Sequence, residues 1–289
     1  MDPADVEMVP APEALRPFVR RYVYANRPLA APLAFMPKPT GYIYFANLFG
    51  EAPADFVTVD GQRFPLHSRF HFAGQIADHD IAVHHAEGQN SLYCELAATG
   101  SHRLFGVPGD RTTGQAPALA AVAPEIEPLA RAHFTLGIEG TREAHVAEGN
   151  AFFTALAERA APGDPIVEGA VAMLEAANGA VRIAEICERL GTGPRQLNRR
   201  FRHIVGLSPK FFGQILQLNW VVGALYFNDT ATLTEIAHEA GFHDQSHFNR
   251  AMHRFFDEGP RDFLRSDHVL LKTFLGESRR FSAPMELKY

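Results

Sequence analysis

Ten side chains in the last third of the chain have the types and spacing for one kind of chemistry. Arg195, Gln196, Asn198, Arg199 and Arg202 fall within eight residues, and Gln245, Ser246, Asn249, Arg250 and His253 fall within nine. Guanidinium groups neutralise phosphates and release their counterions. Arginine also forks onto the edge of guanine, and side-chain amides pair with the edge of adenine. Such a set suits a surface that binds a polyanion and reads base edges, not one that transforms a substrate, and no catalytic residue is expected.

These side chains need rigid elements to carry them, and the sequence supplies the same pair twice. Ile183-Ala184-Glu185-Ile186-Cys187-Glu188-Arg189-Leu190-Gly191 reappears 50 residues later as Leu233-Thr234-Glu235-Ile236-Ala237-His238-Glu239-Ala240-Gly241. Apolar positions repeat at three and four, and a glycine follows, where a helix end favours a left-handed residue. The second copy has a capping box, Thr232 with Glu235, whereas the first has Arg182 in that place. A second helix follows each glycine, over 195–205 and 245–256, and a short glycine-containing turn between two helices is the helix-turn-helix signature. On a wheel of 100° per residue, Leu197, Phe201, Ile204 and Val205 share one face, as do Phe248, Met252, Phe255 and Phe256. Arg195, Arg199 and Arg202 lie opposite the first face, and Ser246, Arg250 and His253 opposite the second. Between the units, 209–228 reads as one helix of about 27–30 Å. That length suits two reading helices one duplex turn, about 34 Å, apart.

On these residues, the region from Ile166 to Arg265 resembles the DNA-binding domain of the AraC family of bacterial regulators. The resemblance rests on Arg195-Gln196-Leu197-Asn198-Arg199-Arg200-Phe201-Arg202 and Gly206-Leu207-Ser208-Pro209. In the second unit it rests on Ile236-Ala237, Gly241-Phe242, Asp244–Arg250 and Pro260. Gln217 stands where the linker helix of similar proteins usually has arginine; Asp257 and Gly259 also depart from the pattern. Gly100–Pro108 is similar to a segment of the β-rich sensor domains attached to some members. The resemblance implies a sequence-specific transcription regulator that binds double-stranded operator DNA. It also admits a small-molecule effector, a homodimer and contact with RNA polymerase as further partners.

The bulk numbers agree. The chain has 289 residues with a net charge of −6, so its surface as a whole does not attract polyanions. Residues 181–266 hold eleven Lys and Arg against nine Asp and Glu, a balance of +2, which leaves −8 for the remainder. The first hundred residues read as strands at 42–45, 56–59, 70–72, 81–83 and 92–96. Asp60-Gly61 favours a tight hairpin. Pro162-Gly163-Asp164-Pro165 breaks the chain before the C-terminal helices. The fold class expected is α+β: a β-rich sandwich or barrel (1–123), a helical connector (124–164), an all-α domain with two helix-turn-helix units joined by a long linker helix (165–267), and a tail (268–289).

The competing reading is a metal-dependent, cupin-like β-barrel enzyme. It would draw on His67, His71, His79, His84, His85 and His102. Adjacent His84 and His85 point to opposite faces of a strand, and the spacing is not that of two histidines and a carboxylate. No metal and no cofactor are therefore expected. Phe35, Tyr42, Tyr44, Phe45, Phe70 and Phe72 are candidates to line a ligand pocket. Cys94 and Cys187 fit inert packing. An acidic start without an apolar core argues against a secretory signal, and no run is long enough to span a membrane, so the expected location is the cytoplasm.

Overall fold

A computed structural model describes residues 6–25, 30, 32–50, 56–66, 68–77, 81–227, 233–242, 245–256 and 258–265. The architecture is α+β, with nine strands preceding eleven α-helices among these residues. The strands are β1 (Val6–Pro10), β2 (Val19–Ala25), β3 (Leu33–Phe35), β4 (Tyr44–Phe49), β5 (Phe56–Val59), β6 (Gln62–Pro65), β7 (Phe70–Ala73), β8 (Ile81–His85) and β9 (Asn90–Leu96). They form two antiparallel sheets, ordered β1-β2-β9-β4-β7 and β3-β8-β5-β6. Asp60 and Gly61 join β5 to β6 with φ of 49° and 78°, the positive pair that a tight hairpin requires.

The larger sheet is covered on both faces, and strand alternation divides its residues between them. Tyr22, Phe45, Phe70, Leu92, Cys94 and Leu96 face helices and pack with Phe105, Phe134, Phe152 and Phe153. Val23, Tyr44, Ala46, Leu48, Ser91 and Tyr93 face a cavity of about 250 Å³, whose opposite wall includes Val57, Val59, Ile81 and Val83 of the smaller sheet.

The helices over this β unit are α1 (Gly100–Phe105), α2 (Leu119–Val122), α3 (Glu127–His133) and α4 (Arg142–Ala157). Then come α5 (Pro165–Ala176), α6 (Ile183–Arg189), α7 (Pro194–Val205), α8 (Pro209–Phe227), α9 (Leu233–Glu239), α10 (Gln245–Phe256) and α11 (Pro260–Arg265). Asp164 starts α5 by accepting from the Ile166 and Val167 amides at 3.0 and 3.3 Å. The helices α5–α11 surround a second apolar core that includes Leu174, Ile186, Phe201, Phe212, Phe248 and Phe263. Among the described residues no helix is long and apolar enough to cross a membrane.

Two local expectations change. The strand expected at 42–45 begins only at Tyr44, because Gly41 turns the chain with φ of 88° and the Tyr42 side chain is committed to the second core. Strands β1, β2, β3 and β6 carry no clear alternation in the sequence. In β2 the consecutive Arg20 and Arg21 hide it, and a bulge lies there.

Candidate nucleic-acid interface

The helix pairs α6–α7 and α9–α10 repeat in bonds as well as in sequence. In the first unit the Leu190 amide donates to Ile186 O (3.0 Å), Gly191 to Glu188 O (3.3 Å) and Thr192 to Cys187 O (3.0 Å). In the second, Ala240 donates to Ile236 O (3.0 Å), Gly241 to His238 O (2.9 Å) and Phe242 to Ala237 O (3.0 Å). Gly191 and Gly241 carry the left-handed φ, 58° and 81°, that lets each helix close this way before the turn. Gln217 contributes where similar proteins have arginine: its amide donates to Ala240 O at 3.1 Å, tying the end of α9 to α8. Arg182 starts α6 without a side-chain cap, as its sequence suggests. Thr232, Asp244 and Asp257 lie outside the described residues.

The second helix of each unit is held by its apolar face. Leu197, Phe201, Ile204 and Val205 are buried in α7, and Phe248, Met252, Phe255 and Phe256 are buried 51 positions later in α10. Opposite these, Arg195, Gln196, Arg199 and Arg202 are exposed on α7, with Asn198 half-buried. On α10, Ser246, Arg250 and His253 are exposed, with Asn249 half-buried; the side chain of Gln245 lies outside the described residues. At the same offset Arg195 matches Ser246, Asn198 matches Asn249, Arg199 matches Arg250, and Arg202 matches His253. Neither helix has an acidic residue in its first turn.

Among the described side chains, Arg200, His203 and Arg254 of the two helices are engaged within the protein. Arg200 turns onto Asp164, Nε to Oδ2 at 3.4 Å. Arg254 lies over the Phe211 ring at 4.9 Å, and His203 Nδ1 meets Asp110 Oδ2 at 3.2 Å. The C-terminal end of α7 also docks on the β unit, which the sequence did not signal. A Cβ at Gly109 would meet Gly206 N at 2.4 Å, and Thr113 donates to Gly206 O at 3.0 Å. The N-terminal turns of α7, which carry Arg195, Gln196 and Arg199, stay open to solvent. Helix α8 has 19 residues, so it spans about 28 Å between the two units.

The cavity is the second candidate site. Tyr42 and Tyr44 line it, whereas Phe45 and Phe70 belong to the helix-facing core; Phe72 borders the cavity, but its ring packs in that core against Phe45 and Phe105, and the side chain of Phe35 lies outside the described residues. His71 and His85 are also in its lining, and the Tyr93 hydroxyl is 3.0 Å from His85 Nε2. His84 stacks on Phe56 at 4.1 Å, and His102 sits against His203 at 5.9 Å. Burial, then the neighbouring His203, push the His102 imidazole below its ordinary value. His67 and His79 lie outside the described residues. Among the described residues no group of three His, Cys, Asp or Glu side chains is placed to hold a metal ion. Cys94 and Cys187 are buried thiols, and burial pushes Cys94 up.

Comparison with known proteins points to the same region. Residues 186–266 match the family model described as a helix-turn-helix domain. The chain is similar to the HTH-type transcriptional activator RhaS of Yersinia pestis (strain Pestoides F), with 33% identity over 87 residues. The RhaS of Yersinia pseudotuberculosis serotype O:1b (strain IP 31758) matches equally. Each match covers 30% of this chain and 31% of the relative's length. Among solved structures, ToxT from Vibrio cholerae O395 aligns with 84% of this chain and 97% of its own, at 11% identity and a TM-score of 0.46.

Proposed function

We propose, from the premise that the C-terminal domain is an AraC-type helix-turn-helix domain, that the whole chain is a sequence-specific DNA-binding regulator of transcription. In this role α7 and α10 enter two adjacent major-groove segments of one duplex face. Arg195, Arg202, Ser246 and His253 contact phosphates, while Arg199 and Arg250 reach base edges from the centres of the two outward faces. Gln196, Asn198, Gln245 and Asn249 supply the amides beside them. One observation carries the reading: the buried faces of α7 and α10 superpose at an offset of 51, and so do the outward faces.

The cavity between the sheets is the proposed effector site. Its lining is predominantly apolar, with Lys38, His71, His85, Gln89, Ser91 and Gln115 among the polar minority, which suits a small, largely apolar molecule with a polar end. No catalytic step is assigned to it. The regulator would act in the cytoplasm, and a homodimer or RNA polymerase would be its protein partners.

The test is to select duplexes from a random pool with the full chain and measure affinity at 50 and 200 mM salt. About four phosphate contacts would give a loss of about a hundredfold across that range. Failure to enrich any sequence, or affinity that ignores salt, would overturn the proposal.

A further inference from the structure

Residues 36–42 are shared by the two candidate sites. On one side Met36, Pro37, Lys38, Thr40 and Tyr42 form part of the cavity wall. On the other, the same segment sits on the helices that carry the reading units. Asn219 Nδ2 of α8 donates to Thr40 O at 3.2 Å. Gly41 lies so close to α8 that a Cβ there would stand 3.2 Å from the Phe212 ring, and its carbonyl accepts from Gln75 Nε2 at 2.8 Å. The Tyr42 ring meets Phe212 edge-on at 6.0 Å, and Phe212 packs against Phe201 of α7 at 5.6 Å.

Tyr42 is the pivot of this arrangement. Its hydroxyl donates to Glu175 Oε1 of α5 at 2.8 Å, and Arg20 stacks over its ring at 3.9 Å. Arg20 also donates to Glu175 at 3.4 Å and to the buried Glu95 at 2.8 Å. One aromatic side chain thus lines the cavity, touches the spacer helix and holds a carboxylate of the DNA-binding half. Close-packed groups do not deform continuously, so a guest that shifts Tyr42 must shift Phe212 and Glu175 or break their contacts.

We propose that segment 36–42 couples occupancy of the cavity to the placement of α5 and α8, with Tyr42 and Glu175 as the positioning residues. The proposal rests on the cavity being the effector site. A guest changes DNA affinity only if it prefers one arrangement of this contact. Linkage then requires that DNA change the guest's affinity by the same factor.

That reciprocity makes the proposal testable with an unnatural guest. N-phenyl-1-naphthylamine is uncharged, so DNA cannot alter its affinity by simple charge repulsion. Its dissociation constant is measured by fluorescence on the full chain, alone and saturated with a duplex selected from a random pool. The wild-type value is expected to change about fivefold or more on adding DNA. Tyr42→Phe keeps the ring and loses the bond; Glu175→Gln keeps the shape and loses the charge. Glu175→Gln, which lies outside the cavity lining, is expected to bind the probe and the duplex and to melt within a few degrees of wild type; for Tyr42→Phe, a lining residue, only the ratio of its own probe dissociation constants with and without DNA is compared. In both, the DNA-induced change should collapse towards none. If the change survives in both, or the wild type shows none, the coupling is wrong while the cavity remains the effector site. The effector-site reading fails, and the coupling with it, if the probe does not saturate or if filling the cavity by Ala46→Phe leaves its binding unchanged.

Discussion

Glu95 is fully buried within a β-sheet, an unfavourable place for a charge unless cations are bonded to it. The bulge in β2 supplies them. Consecutive strand residues normally point to opposite faces, but the register shift between Val19 and Arg21 brings both arginines onto one carboxylate. Arg20 Nε bonds Oε1 at 2.8 Å, Arg21 Nη2 bonds Oε2 at 2.9 Å, and the Tyr44 hydroxyl donates at 2.6 Å. Burial alone would raise the Glu95 carboxyl; the charges of Arg21 and Arg20 and the Tyr44 bond outweigh it and hold the group below its ordinary value. Glu95→Gln leaves guanidinium groups facing a neutral amide and is expected to cost about 3–5 kcal/mol, read by denaturant unfolding. The pH dependence has a definite sign. Because the folded value lies below the unfolded value of about 4.3, the stabilisation is complete above that pH and is lost as pH falls through the folded value. The Glu95→Gln chain should therefore show a shallower acid loss than wild type; equal slopes would remove Glu95 from this role. Nothing in Leu92–Leu96 announces the cluster, because the bulge that creates it lies about 75 residues earlier.

At the scale of elements, two glycines separate steric from conformational need. Gly61 has open space around it and a φ of 78°, so Gly61→Ala should cost only the left-handed backbone strain, about 1 kcal/mol. At Gly109 the new methyl would press on Gly206 N and Val205 C, both at 2.4 Å and both backbone. Gly109→Ala should therefore push the end of α7 off the β unit, with a loss of about 1–3 kcal/mol. Thermal unfolding with parallel DNA titrations distinguishes the two: Gly109→Ala should shift DNA affinity, whereas Gly61→Ala should not. Unchanged affinity in Gly109→Ala would mean that the docking of α7 has no bearing on DNA. The helix-turn-helix elements were legible because everything that makes them is local: apolar period, terminal glycine and the offset between copies. The sheet order was not, since β2 pairs with β9 some seventy residues away. Strand β6 is exposed along its length, so burial left no pattern in it. The docking of α7 and the bend at 41–43 also depend on contacts between distant segments, which periodicity does not record.

Across the whole molecule, a sheet pair enclosing a cavity sits against a helical unit that presents two matched outward faces. Helix α8, about 28 Å long, joins the two units that carry those faces. Seven of the ten candidate side chains, Arg195, Gln196, Arg199, Arg202, Ser246, Arg250 and His253, are exposed; their exposure was legible in the sequence because side chains that must stay in solvent leave the wheel's polar arc basic and free of acids. Arg200 shows the limit of that reasoning, since nothing on a wheel pairs it with Asp164, onto which the fold turns it. The most direct measurement is quantitative binding of Arg199→Ala and Arg250→Ala, in the full chain, to the selected duplex and to every single-base variant of it. Each substitution should weaken the selected site by about 1–3 kcal/mol and relax selection over a few base pairs. The two sets of relaxed positions should lie about one helical turn apart. Wild-type binding by both variants, or relaxed positions that coincide, would contradict the assignment of α7 and α10 as two reading helices on one face of DNA.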